Sequence, residues 1–260
     1  MTHFDSRPLL IYFAVKYGGD FHKIITALEL KEDPPMKEVE KVNRSLKCKA
    51  ITLLDYDYPL RLKQILFPPI VLFYYGDISL LDNPQTLAVV GSRKISEYGK
   101  YCTEKIVSEI AKGRVIVSGL AQGIDATAHE CAINSGGRTI AVLGSGIDYC
   151  WPPDNQKLYD EIKKNHLLIS EYPGRTPPNG CNFPMRNRIV VGLSNGIYVP
   201  QVNTYNSGTM ISVNLALEMN KDVFVAPEAI PCQTANNQLI GEGAIITIDS
   251  ETILSELKWR

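Results

Sequence analysis

The sequence predicts an α/β fold in which a mostly parallel, doubly wound sheet has helices on both faces and follows a small helical module. Three observations predict this fold. Short, nearly continuous apolar runs alternate with helical segments from Leu87 onward, which is typical of parallel strands buried on both faces. Glycine-containing turns end the first two of these runs. The 260 residues, 45% of them hydrophobic, suffice for one large domain and a small appendage.

Residues 1–48 are predicted to form the helical module, and residues 49–260 the domain that holds the sheet. Leu10, Phe13 and Tyr17 fall on one helix face, and a second helix holds Ile24 and Leu28. Two prolines then break the pattern before a third helix at 36–46. Small helical modules contact nucleic acid in some proteins and serve for packing or dimerisation in others, and the sequence leaves both roles open.

The remaining elements follow from the apolar periodicity. Two strands and a short helix are predicted in a bridging segment, at 51–54, 70–75 and 60–66. Seven further strands are predicted at 87–90, 115–117, 139–143, 167–169, 196–199, 223–226 and 244–248. Helices are predicted near 97–112, 124–135, 155–164, 208–220 and 250–257.

Two consecutive strand–turn–helix units favour a bound anion. Their turns contain Gly91, Ser92 and Arg93 in the first unit and Ser118, Gly119 and Gly123 in the second. Unpaired N–H groups and the positive end of the helix dipole attract phosphate at a helix start, and small residues allow close approach. Because consecutive parallel strands present such turns at one sheet edge, the sequence predicts a surface for more than one phosphate.

A long stretch without acidic residues supports the same surface. No Asp or Glu occurs between Glu171 and Glu218, while three arginines, Arg175, Arg186 and Arg188, and Phe183 lie within this interval. Arginines contact phosphates and a phenylalanine stacks on an unpaired base, which suits single-stranded nucleic acid. The alternative is that Phe183 belongs to the core and the arginines hold carboxylates elsewhere in the fold.

A third helix start is predicted at Ser207, Gly208 and Thr209, where a hydroxyl side chain is expected to cap the first turn. Capping alone would explain one such site. A third small-residue helix start in the same sheet predicts a shared crevice.

The motifs of several enzyme classes are absent from the sequence. The first turn does not match G-x-G-x-x-G, and no acid follows the next strand, which disfavours a dinucleotide enzyme. No Walker A loop occurs. The G-x-S-x-G match at 192–196 precedes a strand, so it is interpreted as a turn. Asp125 and His129 share a helix face without a positioned nucleophile, and His129 is interpreted as structural.

Composition restricts the environment. The formal net charge of −1 means that a polyanion would need a local patch. Six cysteines without a C-x-x-C pair or metal-like cluster are interpreted as reduced thiols, so no metal or cofactor is expected. No apolar run is long enough for a membrane span and no apolar signal region is present, which predicts a cytoplasmic protein.

Seven motifs in one order then resemble a known family. They read VVGSRKISEYG, VSGLAQGIDATAH, GGRTIAVLGSGID, WPPDN, LLISEYP, FPMRNRIVVGLS and SGTMIS. Over roughly residues 50–248 they resemble the DNA-processing protein A family, also called DprA or Smf. The resemblance implies an extended Rossmann-like domain without enzymatic activity. It also implies a homodimer that binds and protects single-stranded DNA during natural transformation and loads the RecA recombinase, displacing single-strand-binding protein.

The resemblance assigns DNA contacts residue by residue. They are Gly91, Ser92, Arg93, Ser118, Gly119, Gln122, Gly123, Phe183, Arg186, Asn187, Arg188, Ser207, Gly208 and Thr209. Gln122 and Gly180 stand where the family often has a basic residue, and this predicts weaker binding by ~1 kcal/mol each if those cations contact phosphate. The family pattern is also broken at Gln201, Glu228 and Ala235.

Two other functions stay open at this point. A phosphate crevice also suits a small-nucleotide sensor or a nucleoside-phosphate hydrolase, although only the SGT part of the usual hydrolase loop occurs here. The third possibility is a structural partner protein with a vestigial crevice, for which the two lost cations are the evidence.

Overall fold

The computed structural model describes residues 6–230 and 234–257, and a nine-stranded sheet forms its centre. The strands are β1 (Lys49–Thr52), β2 (Val71–Gly76), β3 (Thr86–Val89), β4 (Val115–Ser118), β5 (Arg138–Leu143), β6 (Leu167–Ser170), β7 (Gly196–Val199), β8 (Val223–Val225) and β9 (Ile245–Ile246). Their spatial order is β1-β2-β6-β5-β4-β3-β7-β8-β9. The strands from β3 to β9 pair in parallel, while β2 pairs antiparallel with both β1 and β6. The predicted mostly parallel, Rossmann-like sheet is confirmed.

Eleven α-helices lie in the described ranges. They are α1 (Arg7–Lys16), α2 (Phe21–Glu29), α3 (Met36–Ser45), α4 (Leu60–Lys63), α5 (Glu97–Ile110), α6 (Ile124–Asn134), α7 (Gln156–Asn165), α8 (Asn182–Gly192), α9 (Gly208–Glu218), α10 (Asn236–Gly241) and α11 (Ser250–Glu256). The sequence analysis did not predict α8 or α10. In α8, Pro184 occupies the first turn, where a proline is compatible with a helix because that N–H has no intrahelical partner.

Helices cover both faces of the sheet, because successive apolar side chains of a strand point to opposite faces and both sets are buried. Val117 of β4 packs in a core cluster with residues of α8 and α9, whereas Ile116 packs with residues of α5, α6 and α11 on the other face. A third cluster joins α1 and α2 to the sheet and contains Phe13, Phe73 and Leu168. The N-terminal helices therefore share a core with the sheet, and a domain boundary at residue 48 remains a prediction.

The position of the cleft follows from the strand order. From β3 the chain moves to β4, β5 and β6 on one side and then returns to β7 on the other side. Between β3 and β7 the direction of winding reverses, and ligands of open parallel sheets bind at this point beyond the carboxyl ends of the strands. The turns after β4, β3 and β7 are therefore neighbours at one edge.

Two expectations from composition concern the described residues only. None of the helices within residues 6–230 and 234–257 has the length and apolar character that crossing a membrane requires. The described cysteines are free thiols, and Cys232 lies outside the described residues.

Candidate nucleic-acid interface

A cleft of about 430 Å³ lies beyond the carboxyl ends of β3 and β7. Its lining includes Gly91, Ser92, Arg93, Lys94, Ala121, Asp125, Phe183, Arg186, Asn187, Asn203, Ser207, Gly208 and Thr209. Nine of the residues predicted from sequence are in this set. The structure therefore brings the Gly91–Arg93 turn, the first turns of α8 and the start of α9 to one place.

The turn after β3 packs directly on the start of α6. Gly123 has φ +77°, and a Cβ there would lie 2.5 Å from the carbonyl oxygen of Arg93. The N–H of Ile124 donates to the Ser92 carbonyl at 3.2 Å. Only glycine combines this positive φ with such close backbone contact. Gly123 thus supports the first turn from behind and does not line the cleft.

Ser92 stabilises the cleft through hydrogen bonds to the loop after β7. Its Oγ accepts a hydrogen bond from the N–H of Asn203 at 2.7 Å, and its own N–H donates to the Gln201 carbonyl at 2.9 Å. Gln201, one of the departures from the family pattern, also accepts from the N–H of Ser96 at 2.9 Å through Oε1. These bonds hold the turn after β3 against the loop after β7.

The carboxylate of Asp125 binds main-chain N–H groups of the turn after β4. Its carboxylate accepts hydrogen bonds from the N–H groups of Gly119 at 3.1 Å and Ala121 at 3.4 Å. Burial raises the pKa of Asp125, and the nearby Arg186 guanidinium opposes this rise. Because an internal carboxylate already holds the Gly119 N–H, the structure disfavours the predicted phosphate contact of that group, which stays a prediction.

Arg186 lies in the floor of the cleft. Its Nη1 donates to the carbonyls of Gly119 and Val142, the latter at 2.5 Å, and its Nε donates to Asn187 Oδ1 at 3.0 Å. Only 5% of the residue is exposed. The guanidinium therefore braces β4 and β5 against α8 and gives the floor a positive charge that Asp125 partly balances.

Arg93 and Phe183 form the exposed wall. The Arg93 guanidinium carbon lies 5.5 Å from the centroid of the Phe183 ring, a cation–π distance. The ring is half-buried and packs against Gly144, where a Cβ would come within 2.7 Å of its Cδ1. A half-exposed ring beside an exposed cation can stack on one base and contact an adjoining phosphate.

The start of α9 is open. Ser207 occupies the predicted N-cap position, but its side chain makes no capping hydrogen bond. The buried Ser207 Oγ has no hydrogen-bond partner within the described residues. The predicted capping bond is therefore absent within the described residues. The N–H of Met210 donates to the Ser207 carbonyl at 3.0 Å, which leaves the N–H groups of Gly208 and Thr209 and the positive dipole end to attract an anion.

Five predicted contacts do not line the cleft: Gly119 and Gly123, described above, and Ser118, Gln122 and Arg188. The buried Ser118 hydroxyl donates to the Val89 carbonyl at 2.6 Å, and Gln122 donates to Asp154 Oδ2 at 2.7 Å. Arg188 donates through Nη1 and Nη2 to the two oxygens of Glu171, both at 2.6 Å. This buried pair matches the alternative in which an arginine holds a carboxylate elsewhere in the fold and disfavours a DNA contact of Arg188, which stays a prediction.

The sequence analysis missed several cleft residues. Lys94 lines the cleft and directly follows Arg93 in the turn after β3. A second cation next to a predicted phosphate-binding turn is a sequence signal that would have identified it. Asn203, which also donates from Nδ2 to the Lys94 carbonyl at 2.9 Å, had no such signal because its role depends on the strand order.

His129 is structural, as predicted. It is fully buried, and its Nδ1 lies 2.6 Å from Thr139 Oγ1. Burial lowers its pKa to about 3.

The fold and this cleft define a class, namely Rossmann-like proteins with a cleft at the switch point of a parallel sheet. Within it the chain belongs to the DNA recombination-mediator protein A family, whose family model matches residues 49–258. The chain is 39% identical over 230 residues to DNA processing protein DprA of Bacillus subtilis, covering 87% of this chain and 77% of that protein. The resemblance drawn from the motifs is confirmed.

Two solved structures are similar over most of the chain. DNA processing protein A from Streptococcus pneumoniae has a TM-score of 0.81 and 33% identity, and covers 97% of this chain and 94% of its own. DNA processing protein A from Helicobacter pylori has a TM-score of 0.73 and 33% identity, covering 82% and 99%. The latter structure concerns the single-stranded DNA binding mode of the H. pylori protein.

Proposed function

We propose that this protein binds single-stranded DNA in the cleft at the β3–β7 switch point and acts as a recombination mediator. The observation that carries the proposal is the Arg93–Phe183 pair beside the uncapped start of α9. The ring offers a face for an unpaired base, while the guanidinium and the helix start offer charge to adjoining phosphates. A paired base could not reach the ring, which favours single strands over duplex.

The wider role rests on family membership. The protein holds and protects incoming single strands, displaces single-strand-binding protein and loads the RecA recombinase during natural transformation. It works as a cytoplasmic homodimer and without catalysis, because binding alone performs these steps. The names of its relatives, which are DNA processing proteins, support this role.

Salt-dependent binding of an oligothymidylate tests the cleft. Replacing Arg93 with alanine should weaken binding roughly tenfold and reduce the slope of log affinity against log salt by about 0.7, the slope for one phosphate contact on a single strand. Arg44→Ala is the matched control, since Arg44 is an exposed arginine on α3 that pairs with Glu40. Unchanged affinity and salt slope in the Arg93 variant would remove the cleft assignment.

A mononucleotide panel separates the nucleotide-binding alternative. We expect calorimetry to detect tight binding of the oligonucleotide and weak binding of each mononucleotide, because a mononucleotide offers only one base and one phosphate group to the cleft. Tight mononucleotide binding with product formation would favour a sensor or hydrolase.

RecA filament formation on strands coated with single-strand-binding protein should accelerate with the wild-type chain and not with Arg93→Ala.

A further inference from the structure

The arginines differ in what their guanidinium groups contact. Ion pairs hold Arg7, Arg44, Arg138 and Arg188. Arg61 and Arg186 donate to main-chain carbonyls. Arg93 and Arg175 each lie over an aromatic ring, and neither forms an ion pair with any residue in the described ranges.

Arg175 and Tyr149 repeat the arrangement of the cleft wall. The Arg175 guanidinium carbon lies 5.9 Å from the centroid of the Tyr149 ring, compared with 5.5 Å for Arg93 and Phe183. Arg175 is exposed and Tyr149 is half-buried. A cation without a carboxylate partner keeps its charge available to a phosphate, and the ring beside it can take a base.

One loop connects the two pairs. Gly144, at the end of β5, contacts the Phe183 ring. Two residues further, the N–H of Gly146 donates to the Thr176 carbonyl at 2.8 Å, and the N–H of Asp148 donates to the Gly174 carbonyl at 2.8 Å. The loop after β5 therefore passes from Phe183 to Arg175, and both pairs lie along the carboxyl edge of the sheet.

The surroundings of the second pair suit a strand. Tyr149 and Arg175 line a depression of about 980 Å³. Its two acids, Asp148 and Asp160, are outnumbered by three cations in the lining, Lys47, Lys163 and Arg175, and Asp148 lies 3.8 Å from Lys163 Nζ. Trp151, two residues after Tyr149 in the chain, is 41% exposed.

The opposite direction along the edge is less favourable. Beyond β7, Glu242 accepts from the exposed Tyr205 hydroxyl at 2.7 Å, and Glu228 accepts from Thr234. These two carboxylates repel a phosphate chain, whereas cations outnumber acids in the depression on the side toward β5 and β6.

From these observations we propose that the bound single strand leaves the cleft toward β5 and β6, and that Tyr149 and Arg175 bind a further nucleotide there. The inference rests on the proposed function, because it extends the same strand from the same cleft. It assigns Tyr149 a stacking role, Arg175 a phosphate contact and Trp151 an adjacent position on the path.

Oligothymidylates of two lengths, roughly 6 and 18 nucleotides, test the path. In the full chain, Tyr149→Leu combined with Arg175→Gln should weaken binding of the long strand roughly tenfold and leave the short strand unchanged. Tyr205→Leu combined with Arg44→Gln is the matched control and should leave both unchanged. Arg93→Ala should weaken both lengths.

The outcomes separate the two proposals. If Arg93→Ala weakens binding and the Tyr149/Arg175 variant does not affect the long strand, the extended path is wrong and the cleft stands. If Arg93→Ala changes neither length, the proposed function itself fails. Should the double variant not fold, Trp151 emission in a Trp259→Phe protein is the readout. Quenching by the long strand and not by the short one supports the path, and no quenching by either overturns it.

Discussion

Replacing Arg188 with methionine should destabilise the protein without weakening single-stranded DNA binding by the molecules that remain folded. Arg188 and Glu171 form a two-point ion pair in which the side chains are 5% and 7% exposed. Arg188 also donates to the Phe67 carbonyl at 2.9 Å. The pair therefore connects α8 to the segments before β2 and after β6, away from the cleft.

The magnitude follows from the buried charge that the substitution leaves behind. Removing one partner of a buried ion pair costs about 3–5 kcal/mol, because the remaining ion stays desolvated and unpaired. A typical domain has about 5–15 kcal/mol of total stability, so the single variant should unfold at much lower urea concentration and can still be folded in buffer. Arg188→Met with Glu171→Leu should recover most of this loss, since it removes both charges.

The loss of stability in Arg188→Met should depend on pH. Burial raises the pKa of Glu171, and Arg188 opposes that rise. Without Arg188 the pKa of Glu171 rises further above its value in the unfolded chain. Protonation of Glu171 then favours the folded variant, so its deficit relative to wild type should be smallest below about pH 4.3, the ordinary pKa of a glutamate, and should grow as pH rises.

Urea denaturation at several pH values and oligothymidylate anisotropy together measure these effects. The reasoning is refuted if Arg188→Met keeps wild-type stability, or if its folded form loses DNA affinity as Arg93→Ala does. The first result would mean that the pair is not buried as described, and the second that Arg188 contacts DNA after all.

Two further predictions concern the support of the cleft and the core. Gly123→Ala should lower stability by more than the about 1–3 kcal/mol of backbone strain alone and should weaken DNA binding, because its Cβ would meet the Arg93 carbonyl. Gly136→Ala, with φ +73° and nothing within 4 Å of a Cβ, is the control for strain, and equal melting temperatures of the two variants would contradict the close contact. The pKa of His129 is lowered to about 3 in the folded protein, whereas the unfolded chain binds a proton there below about pH 6.5. The free energy of unfolding should therefore fall by roughly 2 kcal/mol between about pH 6.5 and about pH 5. His129→Gln should reduce this dependence in denaturation curves, and an unchanged slope would count against it.

The sheet was predictable because its strands are buried on both faces. Such strands read as short apolar runs, and nine predicted strands occur within about two residues of their expected starts. The ends of strands were harder to predict, since β9 spans only Ile245–Ile246 within the expected 244–248. Helix α8 was missed because Pro184 and the polar residues around it resemble a loop until their place in a first turn is known.

The cleft was predictable in part. Turns after parallel strands must meet at one sheet edge, which placed Gly91–Arg93 beside Gly208 before any coordinates. Arg186 and Arg188 could not be told apart, because residues two positions apart on a helix point in nearly opposite directions and the helix itself was not predicted. Nor could the sequence show that Asp125 holds the N–H of Gly119, since that bond depends on how α6 begins.

A structure of the protein with a short oligothymidylate bound tests the central claim most directly. The account predicts a base stacked on Phe183, with adjoining phosphates at Arg93 and at the N–H groups that begin α9. A strand bound on any other face, with this cleft empty, would contradict it.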